Sequence, residues 1–487
     1  MATEDLRAER LKKLELMQQA GVDPYPAESE RTHENAAFLA SFQEFLDEKK
    51  AVTLGGRIMS LRDQGGLVFI DLFDGTARVQ ALIKKDEVGD EAFGQFLEFV
   101  SISDFIEVSG IAFVTKRGMN SLLGSSWRML AKSIRQVPDE WFGLKDEDER
   151  YRKRYLDMLL NLEVAELLKK RSVFWNSIRS FMLERGFVEV ETPILETKTG
   201  GAEARPFITH HNALDIEVYL RISHELWHKK LIIGGLPKVF EIGRVFRNEG
   251  ISYEHAQDYT HFEFYQAYQD AREGVPMLID LYRKVAQDTF GTLQFQMGDH
   301  TVDLGVEWKR VDYNELMQSK YGFDPREVSQ APNEGKKLIR KHFDSTYDGE
   351  ITETGRAVDF LWKQIRKTIG GPAILTGMPV YLEPLAKKTK GDPRVVDRFQ
   401  ILLGGSEVGK AFNELNDPID QSARFESQQA LRDAGDEEAQ MADFEYVEAM
   451  EYGMPPTFGF GVSERLFSFL AGESIREAQP FPLMRPK

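Results

Sequence analysis

Residues 244–268 read RVFRNEGISYEHAQDYTHFEFYQAY, and the whole chain is best read outward from them. Their period is that of two apolar-alternating strands, about Val239–Arg247 and Thr260–Tyr268, joined by a long polar loop. Alternation puts Val245 and Arg247 on one face of the first strand. It puts His261, Glu263 and Tyr265 on one face of the second. An arginine, two carboxylates (Glu249 and Glu263) and the rings of Tyr259 and Tyr265 therefore converge on one surface. Such a surface suits a ligand with an anionic group, a cationic group and a flat ring. An ordinary exposed hairpin laced with salt bridges has the same period, so the period alone leaves both readings open.

Length and composition set the frame for this hairpin. A chain of 487 residues, 42% hydrophobic and 29% charged, is expected to fold as a large globular protein of two or more domains. No apolar run approaches the roughly 18 residues that span a bilayer, so no membrane partner is expected. The N-terminus, MATEDLRAERLKKLELMQQAG, reads as a charged amphipathic helix without the apolar centre of a signal peptide. The sequence has no cysteine, which rules out disulfides and thiolate metal sites and fits a cytoplasmic location. A net charge of −17 opposes association with nucleic acid unless basic residues cluster. Candidate clusters are Arg57–Arg62, Lys84–Lys85, Lys116–Arg117 and Arg150–Arg154. Each, taken alone, reads as solvated surface as readily as phosphate contact.

The period divides the chain. Residues 1–50 read as a helical arm with a break at DPYP. Residues 51–138 read as five short strands with a helical patch, DEAFGQFLEFV, between the third and fourth. That is the layout of an OB-fold barrel, and other small β-barrels share it. Residues 139–165 form a charged linker. From 166 to 487 helices and strands alternate, with a helical insertion at about 321–372. A long helix near 164–185 runs into the strand FVEVETPIL, and strands resume after the insertion with PAILTGMPVYLEPLAKK.

Three further stretches carry chemistry. The pair Gly200–Gly201 lets backbone approach a small ligand, and Glu225 opens a helix, where a carboxylate also suits the helix dipole. In RFQILLGGSEVGKAFNELND, alternation aligns Lys410, Phe412 and Glu414. Glu407 falls out of phase unless Gly409 introduces a bulge. Near the C-terminus, FGFGVSERLF is a glycine-rich strand running into a helix. There Gly459 and Gly461 leave room for a planar ring and Arg465 projects from the first turn. The sequence has no P-loop and no dinucleotide fingerprint.

The hairpin over 244–268 resembles motif 2 of the class II aminoacyl-tRNA synthetases in their lysine-specific form. The helix and strand before Pro193 resemble motif 1, and FGFGVSERLF with its FPLMRP ending resembles motif 3. GRIMSLRDQGG and RVQ resemble the anticodon-binding barrel of the same family. The likeness runs from DPYP to Lys487. It implies an α+β chain: an N-terminal OB-fold β-barrel plus an antiparallel-sheet catalytic domain flanked by helices. It implies a ligase that activates L-lysine with ATP and magnesium and passes it to tRNA(Lys), working as a homodimer through motif 1. By the same likeness lysine would be bound by Gly201, Glu225, Glu263, Tyr265, Lys410, Phe412 and Glu414. Glu225 would take the α-amino group, and Glu263, Tyr265 and Glu414 the ε-ammonium. ATP would be bound by Arg247, Glu249, His255, Tyr259, Glu407 and Arg465. Arg247 and Arg465 would be catalytic, and Glu407 would hold the metal. Arg57, Arg62, Phe69 and Gln80 would read the anticodon.

The chain departs from the family's usual pattern at several of these places. Lys410 stands where Asn is usual, Gln400 where a metal-binding Glu is usual, and Glu254 where a basic residue is common. Ala256–Gln257 replaces Asn-Pro, and Met119 follows Gly118 where the family often has Glu. The alternatives left open are an altered or non-catalytic paralogue that binds tRNA, and a relative that loads lysine onto protein. An aspartate or asparagine enzyme fits less well, since Glu263 and Glu414 would repel an acidic side chain.

Overall fold

Five strands, β1 (Val52–Asp63), β2 (Leu67–Phe73), β3 (Arg78–Lys84), β4 (Phe105–Val114) and β5 (Asn120–Ala131), close into a barrel in the order β1-β2-β3-β5-β4. They belong to the first of two compact units, Met1–Lys145 and Asp146–Lys487. The structure, a computed structural model, describes residues 3–138, 144–250, 252–331, 333–435 and 439–486. The first part of the expected linker, 139–143, lies outside them. Helix α1 (Thr3–Gln19) precedes the barrel, and α2 (Asp90–Phe99) sits between β3 and β4, as the OB-fold pattern requires. Strand β2 shows why the barrel closes: Val68, Ile70 and Leu72 are fully buried, whereas Phe69, Asp71 and Phe73 between them are half-buried. Period-two alternation thus separates core from outer face.

The second unit is built on one eight-stranded sheet. Its parts, in chain order, are α3 (Leu162–Leu183), β6 (Val188–Glu189), α4 (Glu225–Ile233), β7 (Lys238–Phe246), β8 (Asp258–Ala267), α5 (Ala271–Phe290), β9 (Lys309–Asp312), α6 (Thr354–Arg366), β10 (Ala373–Thr376), β11 (Arg398–Leu403), β12 (Ser406–Asn413), β13 (Thr457–Ser463) and α7 (Arg465–Ala471). The strand order is β9-β10-β11-β12-β13-β8-β7-β6. All neighbours are antiparallel except the outermost pairs, β9 with β10 and β6 with β7. One face is apolar: Phe240, Phe262, Phe264, Phe458 and Phe460 pack with Phe174 and Ile178 of α3 and Leu278 and Tyr282 of α5. The residues between them face the other way and form two cross-strand rows. Val239, Tyr265, Gly459, Phe412 and Arg398 pair in register, as do Glu241, Glu263, Gly461, Lys410 and Gln400.

The bulge that alternation required is present. Gln400 pairs with Lys410 and Leu402 with Glu407, so Val408 and Gly409 oppose the single residue Ile401. The extra residue returns Glu407 to the face of Lys410. Three expectations need correction. The strand expected over FVEVETPIL is broken in two: Val188–Glu189 joins the large sheet, and Leu195–Glu196 pairs with Ile216–Leu220 in a separate small sheet. The strand expected over PAILTGMPVYLEP ends at Thr376, because Gly377 turns at φ 81° and the chain enters a 3-10 turn at Val380–Leu382. In the basic run Arg150–Arg154 the two end arginines form an internal charge network rather than solvated surface or a phosphate site, while Lys153 between them is exposed, as expected. Arg154 is fully buried, 2.7 Å from Asp157 and 2.9 Å from Glu477, and Arg150 bonds to the same two acids. A guanidinium withdrawn from water must be paired in this way. Among the described residues no helix is long and apolar enough to cross a membrane.

Candidate functional site

The polar rows of the sheet meet α4 and form an acidic chamber. Glu225, the first residue of α4, is buried, and Lys229 one turn later is fully buried. Lys229 Nζ lies 2.5 Å from Glu225 Oε1 and 2.5 Å from Glu414 Oε2, so one ammonium spans both carboxylates. Glu263 is beside them. Its Oε1 accepts from Ser223 Oγ at 2.7 Å and from the His224 amide at 3.1 Å, and its Oε2 accepts from Tyr265 Oη at 3.0 Å. Gly201, at φ +84°, closes the chamber: a Cβ there would stand 2.7 Å from Glu225 Cβ and 2.9 Å from Ser223 Oγ. Gly459 is equally constrained, since a Cβ would run into Glu414 and the Tyr265 ring. Gly201, Glu225, Glu263, Tyr265 and Glu414 are therefore brought together around one small volume. Phe412 pairs with Gly459 and is buried at its edge.

The charges of this chamber are unusual. Burial pushes the Glu414 carboxyl up to about 8, against the lowering by Lys229, and burial raises Glu225 as well. Lys229 is raised, because Glu225 and Glu414 outweigh the burial that would lower it. Burial would raise Glu263 too, but hydrogen bonding from the His261 ring, 3.4 Å from its Oε1, holds it well below the usual carboxylate range. Burial lowers His224 to about 3 and lowers His261, so those rings are neutral near pH 7. His224 and His228 stack 5.8 Å apart, wedged between Glu263 and Glu241. Glu241 itself is fixed by Arg221 at 2.6 Å and by the Thr192 amide and hydroxyl. Sequence reading placed His261 on the face of Glu263 but missed Lys229, His224 and His228. Lys229 had a signal, the i,i+4 spacing from Glu225, and His224 and His228 share the same spacing; they meet His261 only through packing of α4 on β8.

The opposite end is basic. The Arg247 guanidinium lies 5.8 Å from the centre of the Tyr259 ring and donates to the Ile222 carbonyl at 3.3 Å. The Glu249 amide donates to the Arg247 carbonyl at 2.9 Å. Arg465 donates to the Glu407 carbonyl at 3.3 Å and stands 3.8 Å from Glu254, whose other oxygen accepts from Ser406 at 3.0 Å. His255 Nδ1 is 2.6 Å from Ser252 Oγ, and burial and Arg465 lower its ring to about 4. Glu407 Oε1 accepts from Trp362 Nε1 at 2.7 Å. Burial raises the Glu407 carboxyl, but Arg398, Arg366 and Lys410 outweigh it and the net shift is downward. The expected ATP residues thus gather with two arginines, Arg366 and Arg398, that sequence reading did not identify.

Glu407, a carboxylate held below its usual range by its basic neighbours, could supply one oxygen ligand to a magnesium ion. Gln400 does not add to it, because its side-chain oxygen accepts from the Arg398 guanidinium. Among the described residues no group of three or more His, Asp or Glu side chains could hold a metal ion by itself.

In the first unit, Arg57, Arg62, Phe69 and Gln80 share the barrel's outer face. Arg57 pairs with Phe73, Arg62 with Phe69, and Gln80 with Asp71. Phe69 is half-buried with the Arg62 guanidinium 5.9 Å from its ring centre. It is not a core residue.

Residues 146–485 match the family described as tRNA synthetases class II (D, K and N), and residues 52–137 match the OB-fold nucleic acid binding domain. Similar proteins include the lysine–tRNA ligase of Thermotoga maritima, 40% identical over 491 residues covering 99% of this chain and 96% of that protein. The lysine–tRNA ligase of Bacillus subtilis is 41% identical, covering 98% and 97%, and that of a Roseiflexus species 39%, covering each chain fully. An OB-fold barrel, a sheet carrying buried acids and a basic end, and full-length likeness agree: the chain belongs to the lysine–tRNA ligase family of class II tRNA synthetases.

Proposed function

We propose that this protein activates L-lysine with ATP to lysyl-adenylate and transfers the lysyl group to tRNA(Lys). The observation that carries this reading is the buried trio Glu225, Glu414 and Glu263, the first two bridged by the Lys229 ammonium and the third beside them. With all three carboxylates ionised, Lys229 balances one and leaves the charge of two. Free lysine brings two ammonium groups, so it completes the chamber's charge. Glu225 and the Gly201 backbone would take the α-amino group; Glu263, Tyr265 and Glu414 the ε-ammonium, with Phe412 along the methylenes.

Arg247 would hold the lysine carboxylate beside the α-phosphate. A carboxylate oxygen attacks the α-phosphorus, the bond to the bridging oxygen breaks, and pyrophosphate leaves. Adenine would lie between Tyr259 and Arg465, with Glu249 at its edge and His255 at the phosphate tail. Magnesium, when bound with ATP, supplies positive charge at the polyphosphate, and Glu407 would hold it. A terminal ribose hydroxyl of the tRNA then attacks the lysyl carbonyl and AMP departs. No protein nucleophile is needed. A cytoplasmic homodimer is part of the same reading. The dimer is supported by the exposed apolar side chain of Val188 on β6, the strand that ends the large sheet, and by the exposed Ile194 and Leu195 a few residues later.

Arg247→Ala removes a preorganised charge from the reacting carboxylate and phosphate. It is expected to lower lysine-dependent ATP–pyrophosphate exchange by about 10²–10³-fold. Phe69→Ala is expected to weaken tRNA binding by about 1–3 kcal/mol, the loss of one base stack, with exchange unchanged. Filter binding alongside exchange separates the two effects. The reading as a whole is tested by lysine-dependent exchange followed by charging of tRNA(Lys) and of an anticodon-altered tRNA. Exchange plus selective charging is the expected result. Exchange without charging would favour lysylation of protein, and no exchange with retained tRNA binding would favour the non-catalytic paralogue.

A further inference from the structure

The basic end holds more cations than its carboxylates require. Arg398 Nε lies 2.7 Å from Glu383, and Lys410 Nζ lies 3.3 Å from the same oxygen. One acid is thus shared by two cations. Arg366 faces Glu407, yet its Nε and Nη1 are buried without a hydrogen-bond partner. Buried guanidinium nitrogens without a partner await an anion. Lys410 is 44% exposed at its side chain and lies within electrostatic reach of both Glu225 and Glu407, between the acidic chamber and the polyphosphate end. Its cross-strand partner is Gln400, a neutral residue turned toward Arg398.

Together Arg366, Arg398, Lys410, Glu383 and Glu407 carry one net positive charge. A carboxylate at 400 and a neutral residue at 410 would give one net negative charge. The difference is the charge of one divalent cation, and it arises at two side chains that pair directly across β11 and β12. We propose that Lys410, backed by Arg366 and opposite the neutral Gln400, supplies at the ATP polyphosphate the charge that a second protein-bound divalent cation would supply. Magnesium then enters only with the nucleotide, at Glu407. The inference rests on the ligase reading and deepens it.

The test counts metal and measures ATP affinity in the intact protein. Manganese bound per ATP complex is read by electron paramagnetic resonance, and ATP binding is measured by calorimetry with magnesium or with excess EDTA. Wild type is expected to hold one fewer manganese ion than the double variant Gln400→Glu/Lys410→Asn. EDTA is expected to weaken ATP binding to the double variant roughly 10- to 100-fold more than to wild type, the value of one charged contact. Gln400→Glu alone is expected to gain less metal than the double variant, because Lys410 still opposes it. Equal manganese counts with equal EDTA sensitivity would overturn the inference and leave the ligase reading standing. Absence of ATP binding in every condition would overturn both.

Discussion

Glu414→Gln is expected to lower kcat/KM for lysine in ATP–pyrophosphate exchange by about 10⁴-fold, the size of effect seen when a buried polar partner is lost. The substitution keeps shape and removes one charge. It also leaves Lys229 bonded to Glu225 alone, so the chamber loses half of its surplus negative charge. The effect has a pH signature. Because burial raises the Glu414 carboxyl to about 8, the group is largely protonated at pH 6 and ionised above 8. An ammonium is held only by the ionised form, so lysine affinity should rise from pH 6 to 8 in the wild type. By linkage, the empty protein binds this proton more tightly folded than unfolded, so ionisation costs stability as pH rises through that range. Lysine offsets that cost. In Glu414→Gln the rise between pH 6 and 8 should be absent; a rise of unchanged size would remove Glu414 from the pocket.

Lys229→Met should produce the largest loss of stability. Lys229 is fully buried between two carboxylates, and removing one member of a buried charge group leaves the others uncompensated, at about 3–5 kcal/mol. Methionine fills similar volume, so the cost is electrostatic rather than a cavity. Urea unfolding followed by a probe in the second unit measures it. The sign of the pH dependence checks the cause: without Lys229 both acids titrate higher still, so the variant should recover toward wild type at pH 5, where they are protonated. A loss of stability independent of pH would point to packing instead.

Much of this site is legible in the sequence, and the parts that are not have physical reasons. Arg247, Tyr259, Glu263 and Tyr265 lie on one hairpin whose period fixes their faces, so their convergence follows from local pattern. Glu225, Glu414 and Gly201 come from segments far apart in the chain; the family likeness, not periodicity, grouped them. Arg366 sits on the inserted helix α6, and nothing in a helical period says which face meets Glu407. The pairing of Gln400 with Lys410 depends on a one-residue bulge, and register cannot be read through a bulge from one strand alone. The short β6 and the early end of β10 show the same limit, since apolar alternation continued where the backbone had already left the sheet.

The chamber's purpose is tested most directly by comparing lysine with norleucine, which has the same backbone but ends its side chain in a methyl group. Exchange rates at equal subsaturating concentrations should favour lysine by about 10⁴-fold or more, because norleucine leaves Glu263 buried without a cation and Glu414 with only the Lys229 ammonium that it shares with Glu225. Norleucine activated within about tenfold of lysine, the range a purely apolar pocket allows, would contradict the account.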